Sequence, residues 1–441
     1  MTWWGEDVRV SILIKNGKLL LKDNDSRTDG YRWTVGNLRI EGPRIVALGP
    51  NLEPQPHDII IDATGKMVAP GLVDTHVHLR EPGREDEETI ATGTKAAAAG
   101  GYTTIACMPN TTPPLDSGAA VSAVLQRAES ACIRVIPVGC ITKGRHGKEL
   151  AEIGELVEAG VWGITDDGNP VVDGEIMRRA LEYSRPFNIP VISHAEEPRL
   201  TGKGVMHEGL MSTILGLPGI PPEAESVMVA RDVLLAKATK SRVHFAHVST
   251  KESIEIIATA KSRGIRVTCE VTPHHLVLTD AAVRSYDTNT KVNPPLRSQD
   301  HLEALRVAIA KGIIDCVATD HAPHTWEEKD CDYLQAEFGL IGLETALPLL
   351  FTHLVRPGIL DLATLWERMS FGPAQLLGLA DHGLAVGNRA DIVIVDLELE
   401  KEVDPTKGWS RSRNTPFAGE RLFGWPVATI AGGKIAFREA E

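Results

Sequence analysis

The chain has no apolar run approaching the ~20 residues that a membrane-spanning helix needs. It has no surplus of positive charge either: 46 Lys and Arg stand against 59 Asp and Glu, for a net charge of −13. A general nucleic-acid surface or an anionic-membrane surface is therefore not expected, although a local cationic site for a small anion stays compatible with this balance. No C-x-x-C pair occurs among the six cysteines, Cys107, Cys132, Cys140, Cys269, Cys316 and Cys331, several of which lie in apolar, strand-like runs. They read as buried thiols of a reducing, cytoplasmic protein. The opening "MTWWGEDVRVS" lacks a basic stretch followed by an apolar one, so no secretory signal is expected there. Low-complexity linkers and sequence repeats are also missing. What is left is a globular composition, 43% hydrophobic and 24% charged, over 441 residues. That length suits one large barrel and a smaller domain.

Residues 8–68 read as short strands separated by turns, with alternation and β-branched residues dominating and "KNGK" as a hairpin signal. "ADIVIVDLE" and "PVATIAGGKIAFRE" near the other end have the same texture, so the two ends are expected to meet in one β domain. Between them, eight short β-rich runs recur: "GLVDTHVH", "YTTIACMPN", "IRVIPVGCIT", "GVWGITDDG", "IPVISHAEE", "RVHFAHVST", "RVTCEVTPHH" and "DCVATDHAPH". Helix-like stretches separate them. Strands alternating with helices argue for a parallel sheet, and eight such units in about 300 residues argue for a closed (β/α)8 barrel.

Nearly every run ends in side chains able to coordinate a metal: His76 and His78, Asn110, Asp166 and Asp167, His194, His247, His274 and His275, Asp320. In a (β/α)8 barrel the C-terminal strand ends share one mouth, where active sites lie. His76 and His78 have the strand period of two and can both point inward. With His194, His247, Asp320 and one carboxylate of the Asp166/Asp167 pair, the mouth holds a nitrogen and oxygen set suited to Zn²⁺ and, less selectively, Mn²⁺ or Co²⁺. His274 and His275 adjoin Pro273, which suggests a turn, and are set aside as ligands. Asp74 reads as a supporting group. His57, His146, His207, His301, His353 and His382 fall outside the pattern and read as surface residues. Arg80, two residues beyond His78, places at the mouth a guanidinium able to form two parallel bonds to a carboxylate.

The segments "PGLVDTHVHLREPG", "AAAAGGYTTIACMPNTTPP", "ITKGRHGKEL", "TDDGNPV", "HVSTKESIEII", "CEVTPHHL", "KVNPPLR", "ATDHAPH" and "RNTPF" closely resemble the class I dihydroorotases of the amidohydrolase superfamily. The resemblance runs from about residue 60 to the C-terminus; before that only the strand texture matches. It implies an α/β fold, a distorted TIM-like (β/α)8 barrel of the amidohydrolase type over residues 69–380. A small β-sandwich built from residues 1–68 and 381–441 completes it. His76 and His78 are assigned by resemblance to one metal, His194 and His247 to a second, and Asp320 to the first metal and to acid/base work. Asp167 takes the bridging place that a carboxylated lysine fills in many relatives, giving two Zn²⁺ per subunit. His78, Arg80, Asn110, Asn293, His324 and the backbone at Phe338 and Gly339 are the implied substrate contacts.

The implied activity is the reversible, metal-hydroxide hydrolysis of (S)-dihydroorotate to N-carbamoyl-L-aspartate in pyrimidine synthesis. A homodimer and an association with aspartate transcarbamoylase are the implied partners, with no nucleic acid and no membrane. Hydantoinases and allantoinases would share the metal site, but they carry a lysine at the "TDDG" position and none stands there here. Non-catalytic homologues that only bind the transcarbamoylase lose metal ligands; this chain keeps all of them. Three further expectations concern less familiar segments. "GREDEETI" reads as a solvated first helical turn, "MTWWG" has no counterpart in the family, and residues 325–339 are long enough to form a lid.

Overall fold

The computed structural model describes residues 11–22 and 30–439; "MTWWG" lies outside the described residues. Five strands open the chain: β1 (Ser11–Lys22), β2 (Tyr31–Glu41), β3 (Arg44–Gly49), β4 (Asp58–Asp62) and β5 (Met67–Pro70). β6 (Leu72–Val77), β7 (Tyr102–Cys107), β8 (Arg134–Pro137) and β9 (Val191–Ser193) follow, then a small pair, β10 (Met206–His207) and β11 (Gly219–Ile220). β12 (Val243–Phe245), β13 (Val267–Val271) and β14 (Cys316–Val317) come next, and β15 (Ile392–Glu402), β16 (Arg421–Ala431) and β17 (Lys434–Arg438) close the described chain.

Strands from both ends do meet. One eight-stranded sheet runs β17-β16-β15-β5-β1-β2-β3, with β4 paired to β1. Period-two alternation gives this sheet two apolar faces. Ile12 and Ile14 of β1 share a core with Ile392 and Ile394 of β15. The intervening Val393 and Val395 face the large core of the central domain. "KNGK" is not a hairpin. It lies inside β1, where Asn16 has φ +60° and the register with β2 shifts between Ile14 and Gly17. The Asn-Gly signal was for a left-handed backbone residue, and a bulge satisfies it as well as a turn does. Glycine is required next to it, because a Cβ on Gly17 would lie 2.4 Å from Val68 Cγ2.

The central segment is a succession of parallel pairings. β6 pairs β7 and β7 pairs β8; Gly139 then bridges Ile164, and Ile164 bridges Val191 at the start of β9. β9 pairs β12, β12 pairs β13, and β13 pairs β14. Beyond β14, His321 bridges Val77 and returns to β6. Every residue of β6 and β7 is buried, as parallel strands covered on both faces require. Helices fill the connections, among them Ile90–Ala99, whose Thr89 cap accepts from Thr92 N and whose Ala96, Ala97 and Ala98 pack inward. The longest of them is Glu223–Thr239. Trp366 donates its indole N–H to the Pro70 carbonyl (3.0 Å), pinning the last helical stretch under the junction of β5 and β6.

The described structure changes several residue expectations. His207 and His301 are not surface residues: they are 5% and 4% exposed, with ring centroids 5.4 Å apart, close to the buried Arg297. His382 and His353 are half-buried, while His57 and His146 are exposed as expected. Pro273 starts a short helix, Pro273–Val277, and both His274 and His275 are buried in it. "GREDEETI" is not a solvated helical turn. The helix begins only at Ile90, and Glu87 and Glu88 are 2% and 0% exposed. Their carboxylates are drawn inward by partners distant in sequence, which no local pattern signals. All six cysteines are free; Cys107, Cys140, Cys269 and Cys316 are buried, Cys132 and Cys331 half-buried.

Candidate metal centre

His76 projects from β6 and His78 lies just beyond it; Asp167, His194, His247 and Asp320 follow the ends of other members of the circuit. Asp167 stands between two groups of donors. Its Oδ2 lies 3.3 Å from His76 Nε2 and 3.6 Å from His78 Nε2. Its Oδ1 lies 3.3 Å from both His194 Nδ1 and His247 Nε2, which are themselves 3.0 Å apart. Asp320 Oδ1 is 3.1 Å from His78 Nε2 and 3.6 Å from His76 Nε2. Two triads of buried donors therefore share one carboxylate: His76, His78 and Asp167, and Asp167, His194 and His247.

These residues fit divalent cations. His76 Nε2 is buried without a hydrogen-bond partner. Donors held about 2.0–2.1 Å from a tetrahedral ion lie about 3.3 Å from one another, which is the spacing found here. Charge makes the same demand. Burial would raise the Asp167 carboxyl, yet the His76 charge and the bonds from His194 and His247 hold it well below the usual carboxylate range. Burial opposes a proton on His194, but Asp167 and Glu196 raise it to about 10. Positive charge drawn onto His76 and His194 answers a need that a divalent ion would also meet, while burial lowers His78.

Supporting carboxylates, not evident in the sequence, aim the donors. Glu270 on β13 faces His76 Nδ1 at 2.8 Å and His244 Nε2 at 3.0 Å, and accepts from Thr75 Oγ1 at 2.6 Å. This fixes the His76 tautomer that leaves Nε2 turned to Asp167. Glu196 faces His194 Nε2 at 3.1 Å and accepts from Asn293 Nδ2 at 2.7 Å. Burial opposes its charge, but these partners hold Glu196 down at about 2. Asp74 accepts from His76 N and from Thr319, tying β6 to the segment beyond β14. Asp166 is turned the other way, toward Ile141 N, Thr142 N and the Thr142 hydroxyl. The two adjacent aspartates thus divide: Asp167 joins the donors and Asp166 anchors the neighbouring loop. His247 (φ +31°), Asp320 (φ +48°) and Arg80 (φ +58°) all hold left-handed backbone that side chains rarely adopt. Such strain concentrates at functional sites.

The remaining expected contacts gather around the same mouth. Asn110 Oδ1 is 2.8 Å from His78 Nδ1. Arg80 Nε donates to the Pro323 carbonyl (3.2 Å), and its NH2 lies 3.4 Å from His324 Nε2. His324 Nε2 is 2.9 Å from the Phe338 carbonyl. Gly339 has φ +142°, and a Cβ there would lie 2.7 Å from Ala322 Cβ, so only glycine brings the backbone this close. The segment 325–339 contains a short helix, Trp326–Lys329. Lys329 and Lys291 tie it down by donating to its own carbonyls, Lys329 to Glu337 and Gly339, Lys291 to Leu334 and Ala336. Asn414, from the "RNTPF" segment, accepts from His324 N and donates to the Ala322 and Gly339 carbonyls.

Comparison with solved structures places this architecture. L-hydantoinase (dihydropyrimidinase) from Arthrobacter aurescens superposes with a TM-score of 0.84 at 27% identity, over 98% of this chain and 96% of that one. Dihydropyrimidinase from Brevibacillus agri gives 0.83 at 25% identity, over 97% and 95%. Fold and donor set together define a cyclic amide hydrolase of the amidohydrolase type. Closer relatives narrow this. A dihydroorotase from Pelotomaculum thermopropionicum is 53% identical over 380 residues, 86% of this chain and 89% of the relative. One from Pelobacter propionicus is 49% identical over 430 residues, 97% and 100% of the two chains. The family described as dihydro-orotase-like also matches residues 65–253. The chain belongs to the dihydroorotase family.

Proposed function

We propose that the protein interconverts (S)-dihydroorotate and N-carbamoyl-L-aspartate, the ring-closing and ring-opening reaction of pyrimidine synthesis, in the cytoplasm. The observation that carries this reading is the pair of donor triads sharing Asp167, with the Arg80 guanidinium on the same mouth. His76 and His78 with Asp320 would hold one cation and His194 and His247 the other, with Asp167 serving both sets. Zinc is the first choice for this nitrogen and oxygen set. When bound, such cations supply Lewis acidity toward the ring carbonyl and lower the pKa of water toward neutrality.

The chain's own groups do the rest. Asp320 takes the proton from the attacking water and returns it to the departing ring nitrogen; in the reverse direction it removes that proton. Arg80 pairs with the ring carboxylate, assisted by His324 and Asn293. Asn110 holds His78 through Nδ1, and the Phe338 and Gly339 backbone lines the ring. A hydantoin or dihydrouracil ring has no carboxylate to match Arg80. The parallel circuit is read as the distorted (β/α)8 barrel over residues 69–380, with residues 1–68 and 381–441 forming the β domain. A homodimer, and association with aspartate transcarbamoylase, belong to the same proposal.

The test is elemental analysis of protein purified without chelator, beside absorbance-monitored turnover of dihydroorotate. Two divalent ions per chain and chelator-sensitive turnover are expected. A reproducible one per chain would remove the paired centre, and no turnover of dihydroorotate would remove the substrate.

A further inference from the structure

Glu87 is 2% exposed, lies on the rim of the mouth and belongs to neither donor triad. A tight turn brings it back beside Arg80: Arg84 N donates to the Arg80 carbonyl, and Glu87 N donates to the Arg84 carbonyl, both at 3.0 Å. Its Oε2 is 2.8 Å from Arg80 Nε. Its Oε1 is 2.9 Å from Arg84 NH2 and 3.4 Å from His324 Nδ1. Glu328, on the short helix of segment 325–339, lies 3.2 Å from the same His324 nitrogen and pairs with Arg84.

We propose that Glu87 is the positioning residue that sets both Arg80 and His324 for a ring carboxylate, with Arg84 and Glu328 extending the clamp to segment 325–339. This rests on Arg80 being the group that reads the carboxylate. A guanidinium offers an Nε side and a terminal amino end. Glu87 and the Pro323 carbonyl take the Nε side, so the amino end is turned toward His324 and the mouth. His324 is held the same way: its Nδ1 faces Glu87 and Glu328, which keeps Nε2 beside Arg80 and the Phe338 carbonyl. Burial of Arg80 makes a partner necessary, since an unpaired buried cation is costly.

Two effects of losing the Glu87 charge oppose each other. The mouth would become more positive, favouring an anion, while Arg80 would lose its fixed orientation. Bidentate recognition depends on orientation, so the second effect is expected to win. The test is kcat and KM for dihydroorotate in Glu87→Gln, alone and in the Arg80→Met background, with Tm and metal content of each preparation. Expected are a KM raised roughly 10-fold or more, kcat within about threefold, unchanged metal content, and at most about a twofold further loss when Arg80 is already gone. An unchanged or lower KM, or the same loss in both backgrounds, overturns the proposal. Glu87→Asp, which keeps the charge on a shorter arm, is measured beside it and should give an intermediate KM. If only this variant folds, a KM equal to the parent's is the overturning result. An inactive parent would overturn the functional reading and this inference with it; an active parent with an indifferent Glu87 overturns this inference alone.

Discussion

In the centre of the mouth, four imidazoles and two carboxylates turn their donor atoms toward one another at 3.0–3.6 Å. No Lys or Arg stands among the six. On the rim, Glu87, His324 and Glu328 form a cluster of similar composition and spacing, but Arg80 and Arg84 take its carboxylates. The difference lies in what balances the carboxylates of a His/Asp/Glu cluster. Residue type and distance are alike in both; the source of positive charge is not. The centre sets its carboxylates among imidazoles and fits a cation from outside the chain, whereas the rim brings its own as guanidinium.

The largest effect is expected from breaking the centre. Asp167→Ala should lower turnover by at least about 1,000-fold, some 4 kcal/mol, and reduce bound metal. Asp166→Ala should retain both ions and lose stability instead, because its carboxylate serves Ile141 and Thr142. Metal counting and thermal melting on both variants separate the two roles; metal loss in Asp166→Ala would reverse the assignment. Reconstitution of chelated protein should succeed in carbon-dioxide-free buffer, since Asp167 is anionic without any carbamate chemistry.

Breaking the rim should cost less. Arg80→Met is expected to lower kcat/KM for dihydroorotate by about 100-fold, near 2.7 kcal/mol, with metal content intact. If it still favours dihydroorotate over dihydrouracil as strongly as the parent, Arg80 does not read the carboxylate. A smaller effect, and one that sharpens the contrast, is expected at Glu270→Gln. Affinity for the ion at His76 should fall about 10- to 100-fold in competition with a chelator, because the tautomer is no longer enforced. Equal affinity would mean that β13 contributes packing alone.

The smallest effect lies outside both regions and serves as their control. Burial, with the charge of Arg134 nearby, lowers His382 to about 4. Its unfolded value is about 6.5. Between these values the unfolded chain binds the extra proton, so stability rises with pH there and is lost on acidification, by at most about 1.4 kcal/mol per pH unit. Denaturant melts of His382→Gln should show a flatter dependence between pH 4 and 6.5, with catalysis unaffected. An unchanged slope removes His382 from the acid response.

That these six side chains gather was legible in the sequence because strands advertise them: a period of two at His76 and His78, and a polar residue at the end of nearly every apolar run. The division of Asp166 from Asp167 was not legible from chemistry, since adjacent strand-end residues differ only in which side they face. Glu270 and Glu196 escaped notice because a carboxylate that supports a histidine from another strand leaves no spacing signal. Glu87 and Glu88 looked solvated for the same reason: Arg80, His321 and Ser410, their partners, are fixed by the fold and not by local pattern. In β1 the Asn-Gly pair stated a backbone conformation truthfully, and only the pairing with β2 decided between a turn and a bulge.

Asn414 joins the Ala322, His324 and Gly339 backbones with one amide, and it is translated after every residue of the donor cluster. The segment that leads into β16 therefore helps to hold the wall beside the rim. A change in this late stretch would loosen the wall beside the rim while leaving the six donors untouched, so what the site admits and how it holds its donors are carried by different parts of the chain.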